Sequence, residues 1–166
     1  MKKSIGFGSA CVHERRAAAV TEPQQLPIYA SSAYRFENIE QGMAVFKGEA
    51  PGHIYARFGN PTVAALEEAV AELEQGQAAL AFASGMAAIH AALLTMGARA
   101  GSAVVAAQDI YGATYALLDQ LMRTQDVTVR FVDANNLDAV DAACADLQPV
   151  ALLAETISNP LLKVAD

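Results

Sequence analysis

The sequence predicts an α/β fold in which a mostly parallel sheet is covered by helices on both faces and is preceded by an extended N-terminal arm. Three observations predict it. From Asn60 onward, short apolar runs alternate with helical patterns of about ten residues or more. The apolar runs are continuous rather than alternating, as in strands buried on both faces. Residues 1–60, by contrast, carry prolines at 23, 27 and 51 and scattered glycines that break any period.

The elements follow in chain order. One short helix is expected around Asn38 to Phe46. The rest of the arm reads as extended and needs another surface to lie on. Asn60-Pro61-Thr62 is a helix start, with a capping Asn and Pro at the first helical position. That helix has apolar positions at Val63, Leu66, Val70 and Leu73 and stops at Gly76. Ala78 to Ala83 reads as a strand, and Met86 to Met96 as a buried helix. Ala103 to Ala107 is a second strand, followed by a helix from about Gly112 to Thr124. Val127 to Val132 is a third strand, Leu137 to Leu147 a helix, and Val150 to Glu155 a fourth strand leading to a loop at Ser158-Asn159-Pro160.

Composition narrows the function. A net charge of −7 argues against nucleic acid, which is bound through clustered Lys and Arg. It argues equally against a polybasic membrane patch, and no apolar run is long enough to span a bilayer. The two lysines near the N-terminus precede no apolar core, so no secretory signal is expected. Cys11 and Cys144 fit no zinc spacing and read as reduced thiols of a cytoplasmic protein rather than as a disulfide. His13, His53 and His90 have no partners at metal spacing, so no metal site is expected, and His90 reads as a packed core histidine. Hydrophobic residues reach 54% and charged residues only 17%, which predicts that some surface is covered by other chain.

In parallel sheets the ligand lies beyond the carboxyl ends of the strands. Three motifs fall near such positions, and a fourth lies in the arm. Ser84-Gly85-Met86-Ala87-Ala88 joins a strand to a helix, where free N–H groups and the helix dipole suit a phosphate. Taken alone, a turn without ligand is the better reading. Tyr111-Gly112 offers an aromatic face or a phenolic proton, or simply caps the core edge. Tyr55-Ala56-Arg57 puts a guanidinium in the arm, suited to phosphate or to solvent. Glu155-Thr156-Ile157-Ser158-Asn159-Pro160 sets a dense polar group after the last strand, or makes an Asn-Pro turn. No Gly-x-Gly-x-x-Gly or Walker sequence is present.

The order of these motifs is more specific than any one of them. Tyr-x-Arg with Phe-Gly-Asn-Pro-Thr at 55–62, Phe-Ala-Ser-Gly-Met-Ala-Ala at 82–88, Tyr-Gly-Ala-Thr-Tyr at 111–115 and Glu-Thr-x-Ser-Asn-Pro at 155–160 together resemble the Cys/Met-metabolism family of pyridoxal-phosphate enzymes. Leu26-Pro27-Ile28-Tyr29 to Phe36 also looks like that family's arm. The resemblance implies the large domain of a fold-type I, aspartate-aminotransferase-like enzyme with pyridoxal 5'-phosphate as cofactor. It implies an arm at 1–60 that packs on a neighbouring subunit and, at 61–166, the first part of the cofactor-binding domain. Gly85 and Met86 would bind the cofactor phosphate, and Tyr111 would stack on the ring and act in acid–base steps. Asn159 would meet the ring's phenolic oxygen, with Glu155 close by. Tyr55 and Arg57 would reach the phosphate of an adjacent subunit in a dimer of dimers.

The resemblance also implies what should follow. The family holds its cofactor through a lysine in a Ser/Thr-rich context after a further strand. Lys2, Lys3, Lys47 and Lys163 all lack that context, and Lys163 reads as a helix-start or loop lysine. The aspartate beneath the ring nitrogen and the domain carrying the carboxylate-binding arginine would also come after Asp166. The expectation is an N-terminal fragment of an enzyme for gamma-replacement or gamma-elimination on homoserine-derived or sulfur amino acids, inactive as this chain. Position 113 is alanine where methionine gamma-lyases often carry cysteine, which favours a cystathionine gamma-synthase/lyase-like or O-acetylhomoserine-utilising parent. The alternative is a non-catalytic stand-alone domain that binds a phosphate ligand or regulates a full-length relative.

Overall fold

A computed structural model describes residues 23–165. Cys11, His13, Lys2 and Lys3 therefore lie outside the described residues. The chain divides into two compact units that meet between Ala79 and Leu80.

Among the described residues, the first unit contains two capped helices, α1 (Ile39–Phe46) and α2 (Pro61–Leu73). Asn38 begins α1 by accepting the Gln41 N–H at 2.8 Å, while Gln41 Oε1 accepts the Glu37 N–H at 2.7 Å. One first-turn donor and the N–H of the residue before the cap are thereby satisfied, a variant of the reciprocal capping box. Asn60 begins α2 as expected, accepting the Thr62 N–H at 2.8 Å. Its amide also donates to the Tyr29 carbonyl at 2.8 Å, and Thr62 Oγ1 accepts the Tyr29 N–H at 2.9 Å. The helix start thus pins the arm. The arm also lies partly on itself: Ala33 and Tyr55 form an antiparallel bridge, and the Tyr34 and His53 rings sit 5.4 Å apart. The apolar positions of α2 are open, with Leu66 56% and Leu73 81% exposed.

The second unit is a three-stranded parallel sheet of order β2-β1-β3, with β1 (Ala103–Ala107), β2 (Thr128–Val132) and β3 (Ala151–Leu153). All five residues of β1 are buried. Val104 and Ala106 face one layer, formed by α3 (Gly85–Thr95), α4 (Gly112–Ala116) and its π-helical continuation Leu117–Met122. Leu93, Leu118 and Met122 fill that layer. Val105 faces the other layer, formed by α5 (Leu137–Leu147), whose Val140, Ala143, Cys144 and Leu147 make a stripe at helical spacing. Val104 and Val105 are fully buried, and each such side chain contributes roughly 1.5–3 kcal/mol.

Four expectations are corrected. Residues 78–82 belong to no strand ladder among the described residues, and Leu80 is 72% exposed. A strand is made by a neighbour, and both sides of β1 are already taken by β2 and β3. The last strand covers Ala151–Leu153 rather than 150–155, because only these residues meet β1 in register. The helix from Gly112 changes to π geometry at Leu117. Finally, α3 buries only Leu93 fully, so it covers the sheet on one side and is open on the other.

Candidate cofactor site at the carboxyl ends of the strands

The loops that leave β1, β2 and β3 converge on one cleft. Asp109, Asp133, Glu155, Ser158 and Lys163 line it. Convergence follows from the parallel sheet, which sends every strand's following loop to the same edge. Tyr111 donates its backbone N–H to Glu155 Oε1 at 2.8 Å. That bond ties the loop after β1 to the segment after β3. The Tyr111 ring is 48% exposed, so its face is open. Tyr115, one turn further, stacks on Phe131 of β2 with centroids 4.5 Å apart, which anchors α4 to the sheet.

The start of α3 sits beside α4. Thr114, 2% exposed, directs Oγ1 to Met86 Sδ at 3.8 Å. Ser84 caps α3 by accepting the Ala87 N–H at 3.2 Å, and its carbonyl accepts the Ala88 N–H. The first-turn N–H groups of Gly85 and Met86 stand outside the helix's own ladder, at the positive end of its dipole. A Cβ built on Gly85 would meet nothing within 4 Å, so the side of Gly85 beside these donors is open.

Asn159 lies at the tip of the loop after β3. The loop is closed by Ser158, whose Oγ accepts the Lys163 N–H at 3.0 Å and whose N–H donates to the Lys163 carbonyl at 2.8 Å. Lys163 Nζ pairs with Asp109 Oδ2 at 2.8 Å. The hydrogen bond and charge of Asp109, helped by the charge of Asp133, raise the Lys163 pKa against an opposing desolvation effect. Reading Lys163 as a loop lysine holds, but its partner was missed. The two residues lie 54 positions apart, and no local pattern links them.

Gly85, Met86, Tyr111, Glu155 and Asn159 thus all belong to the second unit, and backbone or side-chain contacts join Met86 to α4 and Tyr111 to Glu155. Tyr55 and Arg57 belong to the first unit. There the Arg57 guanidinium lies 5.1 Å from the ring centroids of both Tyr55 and Phe58. Among the described residues, no group of three His, Cys, Asp or Glu side chains is arranged to hold a metal, and no helix is long and apolar enough to cross a membrane. His90 is half-buried on α3, and its Nε2 is shielded from solvent with no hydrogen-bond partner among the described residues.

Comparison with known proteins bears out the resemblance. The family described as Cys/Met metabolism PLP-dependent enzyme matches residues 8–166. An L-methionine gamma-lyase of Fusobacterium nucleatum is 40% identical over 166 residues, covering 100% of this chain and 41% of the relative. A cystathionine beta-lyase of Lactococcus lactis is 40% identical over 141 residues, covering 85% of this chain and 34% of the relative. Among solved structures, a putative O-acetylhomoserine (thiol)-lyase from Campylobacter jejuni, containing N'-pyridoxyl-lysine-5'-monophosphate, matches with a TM-score of 0.73 at 35% identity, over 85% of this chain and 34% of that one. The chain therefore spans about a third to two-fifths of the length of these relatives. Relatives of equal identity carry different activity names, so the match fixes the family and its fold-type I scaffold rather than one substrate. The chain belongs to the Cys/Met metabolism family of pyridoxal-phosphate-dependent enzymes.

Proposed function

We propose that these residues form the phosphate- and ring-binding part of a transsulfuration enzyme. Its reaction is gamma-replacement or gamma-elimination on homoserine-derived or sulfur amino acids, as in cystathionine gamma-synthase/lyase-like or O-acetylhomoserine sulfhydrylase-like enzymes. One observation carries the reading: Tyr111, at the start of α4, is tied to Glu155 after β3, and the first turn of α3 touches α4 through Met86 and Thr114. The residues present fit pyridoxal 5'-phosphate. Two first-turn N–H groups and an unobstructed Gly85 suit its phosphate, and a half-exposed tyrosine ring suits its flat face.

When bound, the cofactor supplies an electron-withdrawing ring that stabilises negative charge on a substrate carbon. The chain's own residues do the rest. Gly85 and Met86 donate backbone N–H groups to the phosphate. Tyr111 covers a ring face, and its phenol moves a proton as the gamma substituent departs. Glu155 holds the Tyr111 backbone, and Asn159 donates its amide to the ring's phenolic oxygen. Arg57, with Tyr55, offers a cation to the phosphate of an adjacent subunit within a dimer of dimers. The setting we infer is the cytoplasm, in keeping with the free thiol of Cys144.

This chain alone is not expected to turn over substrate. An amine must be neutral to attack the cofactor's aldehyde, and the hydrogen bond and charge of Asp109 raise the Lys163 pKa and so disfavour its neutral form. The test is incubation of the 166-residue chain with pyridoxal phosphate, borohydride reduction and peptide mapping. The expected result is binding that inorganic phosphate displaces, with no stoichiometric label on one lysine and no α-keto acid from O-acetylhomoserine or cystathionine. A single labelled lysine together with turnover would overturn the inactivity, and absence of any binding would overturn the cofactor site.

A further inference from the structure

The loop that carries Asn159 is rigid within itself. Ser158 is 4% exposed, and it makes hydrogen bonds to Lys163 through both N–H and Oγ. Its carbonyl accepts the Leu162 N–H at 2.9 Å, and Ile157 and Val164 form an antiparallel bridge. A loop closed in this way moves as one piece. Its orientation relative to the loop after β1 depends on what joins the two.

Two links do so. Tyr111 N–H to Glu155 Oε1 acts at the near end, just after β3. Lys163 Nζ to Asp109 Oδ2 acts at the far end, beyond Asn159. Asp109 lies two positions before Tyr111, so both links grip the same short stretch after β1. We propose that the Lys163–Asp109 pair is a latch that sets the position of Asn159 relative to Tyr111. The pair is a positioning device and touches no substrate. This inference rests on the ring-binding roles proposed above for Tyr111 and Asn159.

A competing role for Lys163 is direct attraction of an anion. The surroundings disfavour it. The ammonium is already engaged by Asp109, and Asp133 and Glu155 line the same cleft, so the local charge is negative. The Asp109 side chain is only 22% exposed against 49% for Lys163, so the carboxylate is the fixed member and the lysine the arm that reaches to it.

The test uses the 166-residue chain and two probes. Pyridoxamine 5'-phosphate carries ring and phosphate but no aldehyde; inorganic phosphate carries no ring. Affinities are read by NMR titration for wild type, Lys163→Met, Asp109→Asn, Lys163→Arg and the charge-reversed double variant Asp109→Lys/Lys163→Asp, with thermal unfolding of each. Both neutralising variants should weaken pyridoxamine phosphate about 2- to 5-fold, the range for an exposed ion pair, while leaving inorganic phosphate unchanged. Lys163→Arg should bind as wild type, and the double variant should recover most of the loss. Equal loss for both probes, no loss for either, or no recovery in the double variant would overturn the latch. Wild type that binds inorganic phosphate but not pyridoxamine phosphate, or binds neither, would overturn the cofactor reading and the latch with it. Wild-type binding with insensitive variants overturns the latch alone.

Discussion

Gly85→Val separates the fold from the ligand. Gly85 is the first residue of α3, and a Cβ there meets nothing within 4 Å. The added methyls therefore enter open space rather than the core. The glycine is helical and needs no left-handed backbone, so valine introduces no strain there. Stability should stay within about 0.5 kcal/mol of wild type, the usual range for a surface change. The same methyls stand beside the Gly85 and Met86 donors and crowd an anion bound to them. A hydrogen bond to a charged group is worth about 1.5–3 kcal/mol, so loss of one predicts roughly a 10- to 150-fold weaker affinity for pyridoxal phosphate. The assays are urea unfolding and equilibrium dialysis on the same samples. Wild-type affinity in the variant would refute the phosphate-cradle reasoning. Affinity lost together with a large fall in unfolding midpoint would assign Gly85 to the fold instead.

Two further predictions concern the scaffold and the latch. Leu118 is fully buried in the cluster that also holds Val104 and Ala106 of β1 and Leu93 of α3, so Leu118→Ala should cost about 2–5 kcal/mol in urea unfolding; a change within about 0.5 kcal/mol, the usual range for a surface change, would show that the layer is not packed as described. Lys163 faces Asp109, Asp133 and Glu155, and its folded pKa is raised, so its contribution to stability is complete below the ordinary lysine range and is lost as pH rises through the folded value. The stability gap between wild type and Lys163→Met should therefore be constant from about pH 7 to 9 and close as pH rises past the ordinary lysine range; a gap that widens in alkali would contradict the pairing.

The sequence was most legible where structure is local. Asn60 announces a helix start because a cap is a contact over two or three residues, a contact that Asn38 and Ser84 also make. Ala103–Ala107 is readable as a doubly buried strand because all five residues are small or β-branched and apolar. Leu137–Leu147 is read to the residue because its buried stripe repeats at helical spacing. Legibility fails where a distant partner decides. Residues 78–82 are apolar and extended in pattern, yet pairing depends on a neighbour that periodicity does not reveal. The length of the last strand is set by its register with β1, not by its own apolar run. At the candidate site the same division holds. The motifs named Gly85, Met86, Tyr111, Glu155 and Asn159 individually, but the Tyr111–Glu155 and Lys163–Asp109 links join residues 44 and 54 positions apart and emerge only in three dimensions.

The three residues of β3 hold more than a strand. β1 and β2 pair over five positions, whereas β1 and β3 pair over three, at larger sequence separation. The shorter and more distant ladder forms at greater loop-closure cost and is the first to fray. When it opens, Glu155, Asn159 and Lys163 leave together, while the β1–β2 pair and the layer built on Leu118 and Met122 persist. Circular dichroism would then report a folded molecule whose ligand cleft is dissolved. Competence of the cleft and persistence of the core are separate properties of this chain, and amide exchange at Leu152 and Leu153, rather than global melting, is the quantity that reports the first.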